Sequence, residues 1–363
     1  MSDYENVRRR RNVDQPEFNL PGDGQAGESD QPYQESAGQA QHPLLAASGA
    51  IKSTPIYQEN QHNSKPFATS QIQAFRNRLT NPENKKGAQG GEFKSLLTLA
   101  EAARELNLDN HGIIELYHSL SMPEREKMTN DSANDYIRNL DAIGKSEAGS
   151  LQVYAQGDPD KLSPWSRYEK NRENPLDVLS GGYYRMVPSD PSRKARSIKA
   201  KARINISVKT NKLIQLSDAI AKITRDNDLI LQSKVVAPGG VDSTTESAVI
   251  YLKNRRITDA LRIVEQISNE IGDNSFLLQP LIGFKELRPG VGYKEIAESK
   301  TTVWSDSSSA AESFALIITN AIRRRQEHKS RWFGKGSLRE ELQKELEYKG
   351  YDRENPWRAI DLA

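Results

Sequence analysis

In ARINISV (residues 202–208), Arg203, Asn205 and Ser207 alternate with Ile204, Ile206 and Val208. Alternation of this kind sends the two sets to opposite faces of a strand. Guanidinium, amide and hydroxyl groups on one face can grip a phosphate or a carboxylate, because Arg and Lys donate charge-assisted hydrogen bonds to such anions. Other stretches offer companions. Lys234 precedes two valines in LILQSKVVAP, Tyr251 shares a face with Val249 and Lys253 in SAVIYLK, and Arg185 sits in GYYRMVP. The same pattern suits a solvated sheet surface, and only convergence of these strands on one concavity separates the two readings.

Other chemistry is excluded or unsupported. The chain has no cysteine, which removes disulfides, thiolate catalysis and cysteine-ligated zinc. Its five histidines are at positions 42, 62, 111, 118 and 328. The strand-rich region from 150 to 327 therefore supplies no histidine for a Ser-His-Asp triad or a general base. His111 and His118 stand seven apart, too far for the i, i+4 pairing of a helical metal site, and are expected on a helix surface. RPGVGYKE lacks the third glycine of a dinucleotide loop and GKGS lacks the Walker spacing, so both read as turns. Neither a cofactor nor a metal is expected.

The elements that must hold these residues follow from composition. The chain has 363 residues, enough for about two ordinary domains, with 36% hydrophobic residues and a net charge of +2. So balanced a charge gives no reason to infer a nucleic-acid partner. No apolar run approaches the roughly 18 residues of a membrane span, and the N-terminal arginine run has no apolar segment behind it, unlike Sec or twin-arginine signals.

Residues 1–90 are rich in Gln, Ser, Gly, Asn and Pro. Such a segment buries too little to offset its ordering entropy and reads as disordered. One island, SQIQAFRNRL, places Ile72, Phe75 and Leu79 at helical spacing. It reads either as a transient helix or, lacking an obvious internal partner, as a docking segment for another protein. Residues 91–150 read as a helical region. Residues 151–363 mix strands with amphipathic helices, among them TNKLIQLSDAIAKITRDND, ITDALRIVEQISNEIG, AAESFALIITNAIRRR and SLREELQKELEYKGY. Consecutive strands in this part favour α+β, a mixed or antiparallel sheet with packed helices, over a doubly wound sheet.

GYYRMVP, ARINISV, LQSKVVAPGG, SAVIYLKN and GYDRENP, taken in that order, resemble the HopA family of type III secretion effectors of plant-associated bacteria, over roughly residues 90–363. That resemblance implies an α+β fold, secretion by a type III system into the host cell cytoplasm, and interference with immunity through a host immune-regulatory protein. It makes the N-terminal segment a secretion signal and a binding site for a secretion chaperone, at Ile72 and Phe75. The same domain is similar to lyase components of lanthipeptide pathways and, more distantly, to phosphothreonine lyases of the OspF/SpvC type. Those lyases use a strand pattern Lys-x-His-x-Ser, with Lys as base and His as acid. Here the Lys position falls on Arg203 and the His position on Asn205. The resemblance places further phosphate-site residues at Lys234, Tyr251 and Lys294. Arg is a poor proton acceptor and Asn no general acid, so phosphate binding without elimination is expected. A phosphothreonine or phosphoserine lyase with an altered site is the alternative.

Overall fold

The structure is a computed structural model, and it describes residues 69–80, 91–146, 150–158, 160–171, 174–176, 182–190, 199–278, 281–297, 309–329 and 337–360. Most of the polar segment 1–90, and the glycines of GKGS, lie outside these.

Seven strands form one sheet: β1 Leu151–Ala155, β2 Tyr183–Pro188, β3 Ala202–Ile206, β4 Ile230–Val236, β5 Ala248–Leu252, β6 Lys285–Arg288 and β7 Val291–Glu295. Their order is β1-β2-β4-β5-β3-β7-β6, and every neighbouring pair is antiparallel. The protein is therefore α+β. RPGVGYKE is not simply a turn. Pro289 and Gly290 turn the chain, and Val291–Glu295 continues as strand β7. Gly290 is at φ +75°, and a Cβ there would lie 2.3 Å from the carbonyl oxygen of Leu277. Only glycine fits, and its own carbonyl accepts the N–H of Ser207 at 2.9 Å. This turn thus fixes β7 against β3.

The helices among the described residues are α1 Thr69–Thr80, α2 Gly91–Glu105, α3 Asn110–Ser121, α4 Asn130–Ser146, α5 Pro164–Asn171, α6 Leu213–Asp226, α7 Ile257–Ile271, α8 Ala310–Lys329 and α9 Leu338–Tyr348. Each apolar stripe finds a partner. Leu213, Leu216, Ile220 and Ile223 of α6, and Ala260, Val264, Ile267 and Ile271 of α7, pack with Ile204, Ile206, Ile250 and Leu252 in one core. Burying a side chain of this size contributes roughly 1.5–3 kcal/mol. A second core joins α2, α3, α8 and α9 around Phe93, Leu116, Phe314 and Leu342. Ser337 opens α9 with a capping box, donating and accepting with Glu340, as its S-x-x-E spacing predicts.

The island at residues 69–80 is a helix with an internal partner. Phe75 is buried in the second core and Ile72 packs against it. Arg76 Nη2 donates to the carbonyls of Ser119 (2.8 Å) and Met122 (3.1 Å), tying α1 to the end of α3.

Candidate functional site

Strand pairing brings the five candidate residues together in two adjacent rows. Across the sheet, Lys234, Val249, Asn205 and Gly292 stand opposite one another. One step along, Gln232, Tyr251, Arg203 and Lys294 do the same. A two-residue step keeps both rows on one face. That face is not solvated. All five residues of β3 are buried, as are Lys234, Tyr251 and Lys294. The alternation of β3 therefore records two different buried environments, not an inside and an outside.

The centre of the polar face is a residue that the sequence reading passed over. Glu246, in the loop between β4 and β5, accepts from Arg203 Nη2 (3.2 Å) and Asn205 Nδ2 (2.5 Å) at one oxygen. Its other oxygen accepts from the Tyr183 hydroxyl at 3.2 Å and from the Thr245 hydroxyl. Arg203 Nε also donates to Asn205 Oδ1 at 2.9 Å. Burial pushes the Glu246 carboxyl up, but Arg203 and the Thr245 hydroxyl outweigh it and hold the group below its ordinary value. Burial opposes charge on Arg203 too, yet Tyr251 and Glu246 more than compensate. The pair is ionised.

Two ammonium groups flank this pair. Lys234 Nζ sits 5.4 Å from the Tyr183 ring centre and 5.3 Å from that of Tyr251. Lys294 Nζ sits 3.6 Å from the Phe314 ring and 4.2 Å from that of Tyr351, and it donates to the Pro356 carbonyl at a long 3.4 Å. Tyr351 and Pro356 both belong to GYDRENP, so this motif closes one end of the face. Among the described residues, neither lysine has a carboxylate within ion-pair distance. Burial first, and then the charge of Arg203, press the Lys294 ammonium well below the usual lysine range.

Arg125, from the extended stretch between α3 and α4, closes the other end. Its Nη1 donates to the carbonyls of Val241 (2.9 Å) and Thr244 (2.8 Å), and its Nη2 to the Thr245 carbonyl (3.1 Å) and Ser207 Oγ (3.2 Å). Burial lowers it to about 10, so it stays cationic near neutral pH.

The histidines divide. His111 is exposed and pairs with Glu115 at 3.2 Å. His118 turns inward, next to Tyr117, and its imidazole is lowered by burial while Glu246 and Glu312 pull the other way. The expectation that both lie on a helix surface fails for His118, because α3 packs against α8 and brings the residue within electrostatic reach of Glu246. No histidine comes from the strands, yet one approaches the face from a helix. Among the described residues, no group of three or more His, Asp or Glu could hold a metal ion, and no helix is long and apolar enough to cross a membrane.

The stretch holding β2 to the Tyr351–Pro356 closure, with nearly all of this face, is matched by the model of the HopA1 effector protein family, over residues 175–358. The chain belongs to this family. Protein HrmA of Pseudomonas syringae pv. syringae is 25% identical over 177 residues, which are 48% of this chain and 42% of HrmA. The chain thus spans less than half the length of that relative. Two solved effector structures share the fold. That from P. syringae pv. tomato strain DC3000 has a TM-score of 0.62 at 22% identity, covering 75% of this chain and 98% of its own. That from P. syringae pv. syringae strain 61 has a TM-score of 0.60 at 24% identity, covering 74% and 98%. Within this HopA1-family chain, Arg125, Tyr117 and His118 reach the face from outside the matched stretch, which is why motifs of the strand region alone do not reveal them.

Proposed function

We propose that this effector is secreted by a type III system into the host cell cytoplasm, where it binds a host immune-regulatory protein by gripping a phosphorylated side chain in its polar face. The observation that carries this reading is the pair Lys234 and Lys294. Both are at least nine-tenths buried, at 9% and 3% exposure, and among the described residues neither has a carboxylate within ion-pair distance. A buried lysine amine is costly to charge without a counter-ion, and an incoming anion favours its ammonium form. Arg203 adds the forked donor suited to phosphate oxygens. In host extract, the full-length chain should capture its partner, and phosphatase treatment of the extract should abolish capture. Undiminished capture after dephosphorylation would overturn the phosphate part of the reading.

The N-terminal segment is the proposed site for a secretion chaperone. Because Phe75 is buried against α2 and α3, a chaperone that takes Ile72 and Phe75 must draw α1 off its neighbours. Ile72→Asp with Phe75→Asp should then lower chaperone co-purification.

The lyase alternative has one observation in its favour. Lys294, in register with Arg203, is held toward its neutral form and could accept the Cα proton of a phosphothreonine, the C–H electron pair forming the Cα=Cβ bond as the Cβ–O bond breaks and phosphate leaves. Release of inorganic phosphate from a phosphothreonine peptide, abolished by Lys294→Met, would establish it. No release supports binding without chemistry.

A further inference from the structure

We propose that Glu246 is an exchangeable internal occupant of the anion site, displaced when a phosphate monoester on a partner protein takes over Arg203, Asn205 and Tyr183. The proposal rests on the anion-binding reading above and adds what fills the site before the partner arrives. Four donors from three chain segments converge on one carboxylate: the Arg203 guanidinium, the Asn205 amide, and the Tyr183 and Thr245 hydroxyls. Such an array discriminates little between a carboxylate and the oxygens of a phosphate.

Charge makes the difference. A carboxylate brings one negative charge, whereas a phosphate monoester brings about 1.5 to 2 at pH 7. Glu246 compensates Arg203 and acts on Lys234 only at longer range, and among the described residues no carboxylate stands within ion-pair distance of either lysine. A phosphate monoester brings a second negative charge for Lys234 beside Arg203. The two anions cannot share the site, since like charges at hydrogen-bond separation repel strongly.

Exchange is also mechanically simple. The Glu246 side chain is 13% exposed against 9% for Arg203, which makes it the more exposed partner of the pair. Its loop is held independently of the carboxylate. Arg125 binds the carbonyls of Val241, Thr244 and Thr245, Ser207 Oγ donates to the Thr245 carbonyl at 2.8 Å, and Thr244 Oγ1 donates to the Gly240 carbonyl at 2.9 Å. Rotation about the Glu246 side-chain bonds empties the site without unravelling that backbone.

The test compares the full-length chain with Glu246→Ala and the near-isosteric Glu246→Gln, using inorganic phosphate and a phosphothreonine peptide. In phosphate-free buffer both variants should melt below the wild type. Added phosphate should raise their melting temperatures toward the wild-type value while moving the wild type little. The peptide should bind each variant at least tenfold more tightly than it binds the wild type. If the wild type binds the peptide and neither variant binds more tightly, Glu246 is not in the way, and the exchange idea fails while the anion site stands. If all three fold cooperatively and none responds to phosphate or peptide, the anion reading itself fails. Should Glu246→Ala not fold, Glu246→Gln carries both readouts.

Discussion

The face of the sheet under α6 and α7 and the face that carries Arg203 are buried to similar degrees, at 0% exposure for Ile204 and Ile250 and 3% for Asn205 and Tyr251. They are built from different material. The first is mainly aliphatic, and several of its polar groups pair locally: Thr224 and Ser233 hydroxyls bond to each other at 2.7 Å, and the Tyr136 hydroxyl donates to the Val236 carbonyl at 3.0 Å. The second spends its burial on Arg203, Asn205, Glu246, Lys234 and Lys294. An aliphatic face stabilises through area removed from water. A charged face of the same depth contributes little net stability, because desolvation offsets most of the Coulombic gain. Stability thus accounts for the first face and leaves the second without a structural reason, so the second is the one to test for function.

The largest effect should come from breaking the polar face on one side only. Arg203→Met strands the Glu246 carboxylate among Asn205, Tyr183 and Thr245 with its buried cation gone. The expected loss is about 3–5 kcal/mol, measured by urea unfolding, together with loss of any response to phosphate. An unchanged midpoint would show that the ion pair is idle. On the aliphatic face, Ile204→Val removes one methylene from a filled core. It should cost about 0.5–1.5 kcal/mol and leave phosphate binding as it was. A change in binding there would mean that the two faces are coupled through β3.

Much of this contrast was legible in seven residues. The period-two pattern of ARINISV assigns Arg203, Asn205 and Ser207 to one face and the isoleucines to the other, and the helical stripes of α6 and α7 name the elements that cover the isoleucines. Depth was not legible. A polar face in a strand is usually a wet one, and only α3, α8 and the GYDRENP segment, folding back from distant positions, bury it. Glu246 was invisible for a related reason. In VDSTTES it is one acidic residue in a polar loop, and its role exists only once β4 and β5 have paired and set the loop beside β3. His118 and Arg125 come from the helical region, whose own periodicity says nothing about which strand it will meet. Lys234, set in a strand just before two valines, was the available signal that an acidic partner should be sought elsewhere in the chain.

Acid should separate the faces further. Glu246 has a folded-state value below its ordinary 4.5. The native state then binds fewer protons than the unfolded chain just below that value, so Glu246 contributes stability that is present above pH 4.5 and is lost as pH falls through the folded value. Between pH 5 and 3 the wild type should lose stability more steeply than Glu246→Gln. Other carboxylates contribute equally to both proteins, so the difference in slope belongs to Glu246. Parallel pH profiles would show that the carboxyl titrates alike in both states, contrary to its four donors.

The smallest expected change in stability is the most informative. Arg203→Met combined with Glu246→Leu replaces the central ion pair by apolar groups of similar size. Neighbouring Phe284, whose ring centre lies 5.5 Å from the Arg203 guanidinium carbon, offers the new side chains an apolar surface. Exchanges of this type are near neutral or stabilising by about 1–4 kcal/mol, against which stand the Asn205, Tyr183 and Thr245 donors left without their acceptor, about 1–3 kcal/mol for each that stays buried. If the polar face serves stability, the double variant should be as damaged as Arg203→Met alone. If the face serves an anionic partner, the double variant should recover most of the stability that Arg203→Met loses yet fail to respond to phosphate or to capture a host protein. A variant that is sound in fold and silent in binding would assign the charges to recognition, since the sheet would have been shown to stand without them.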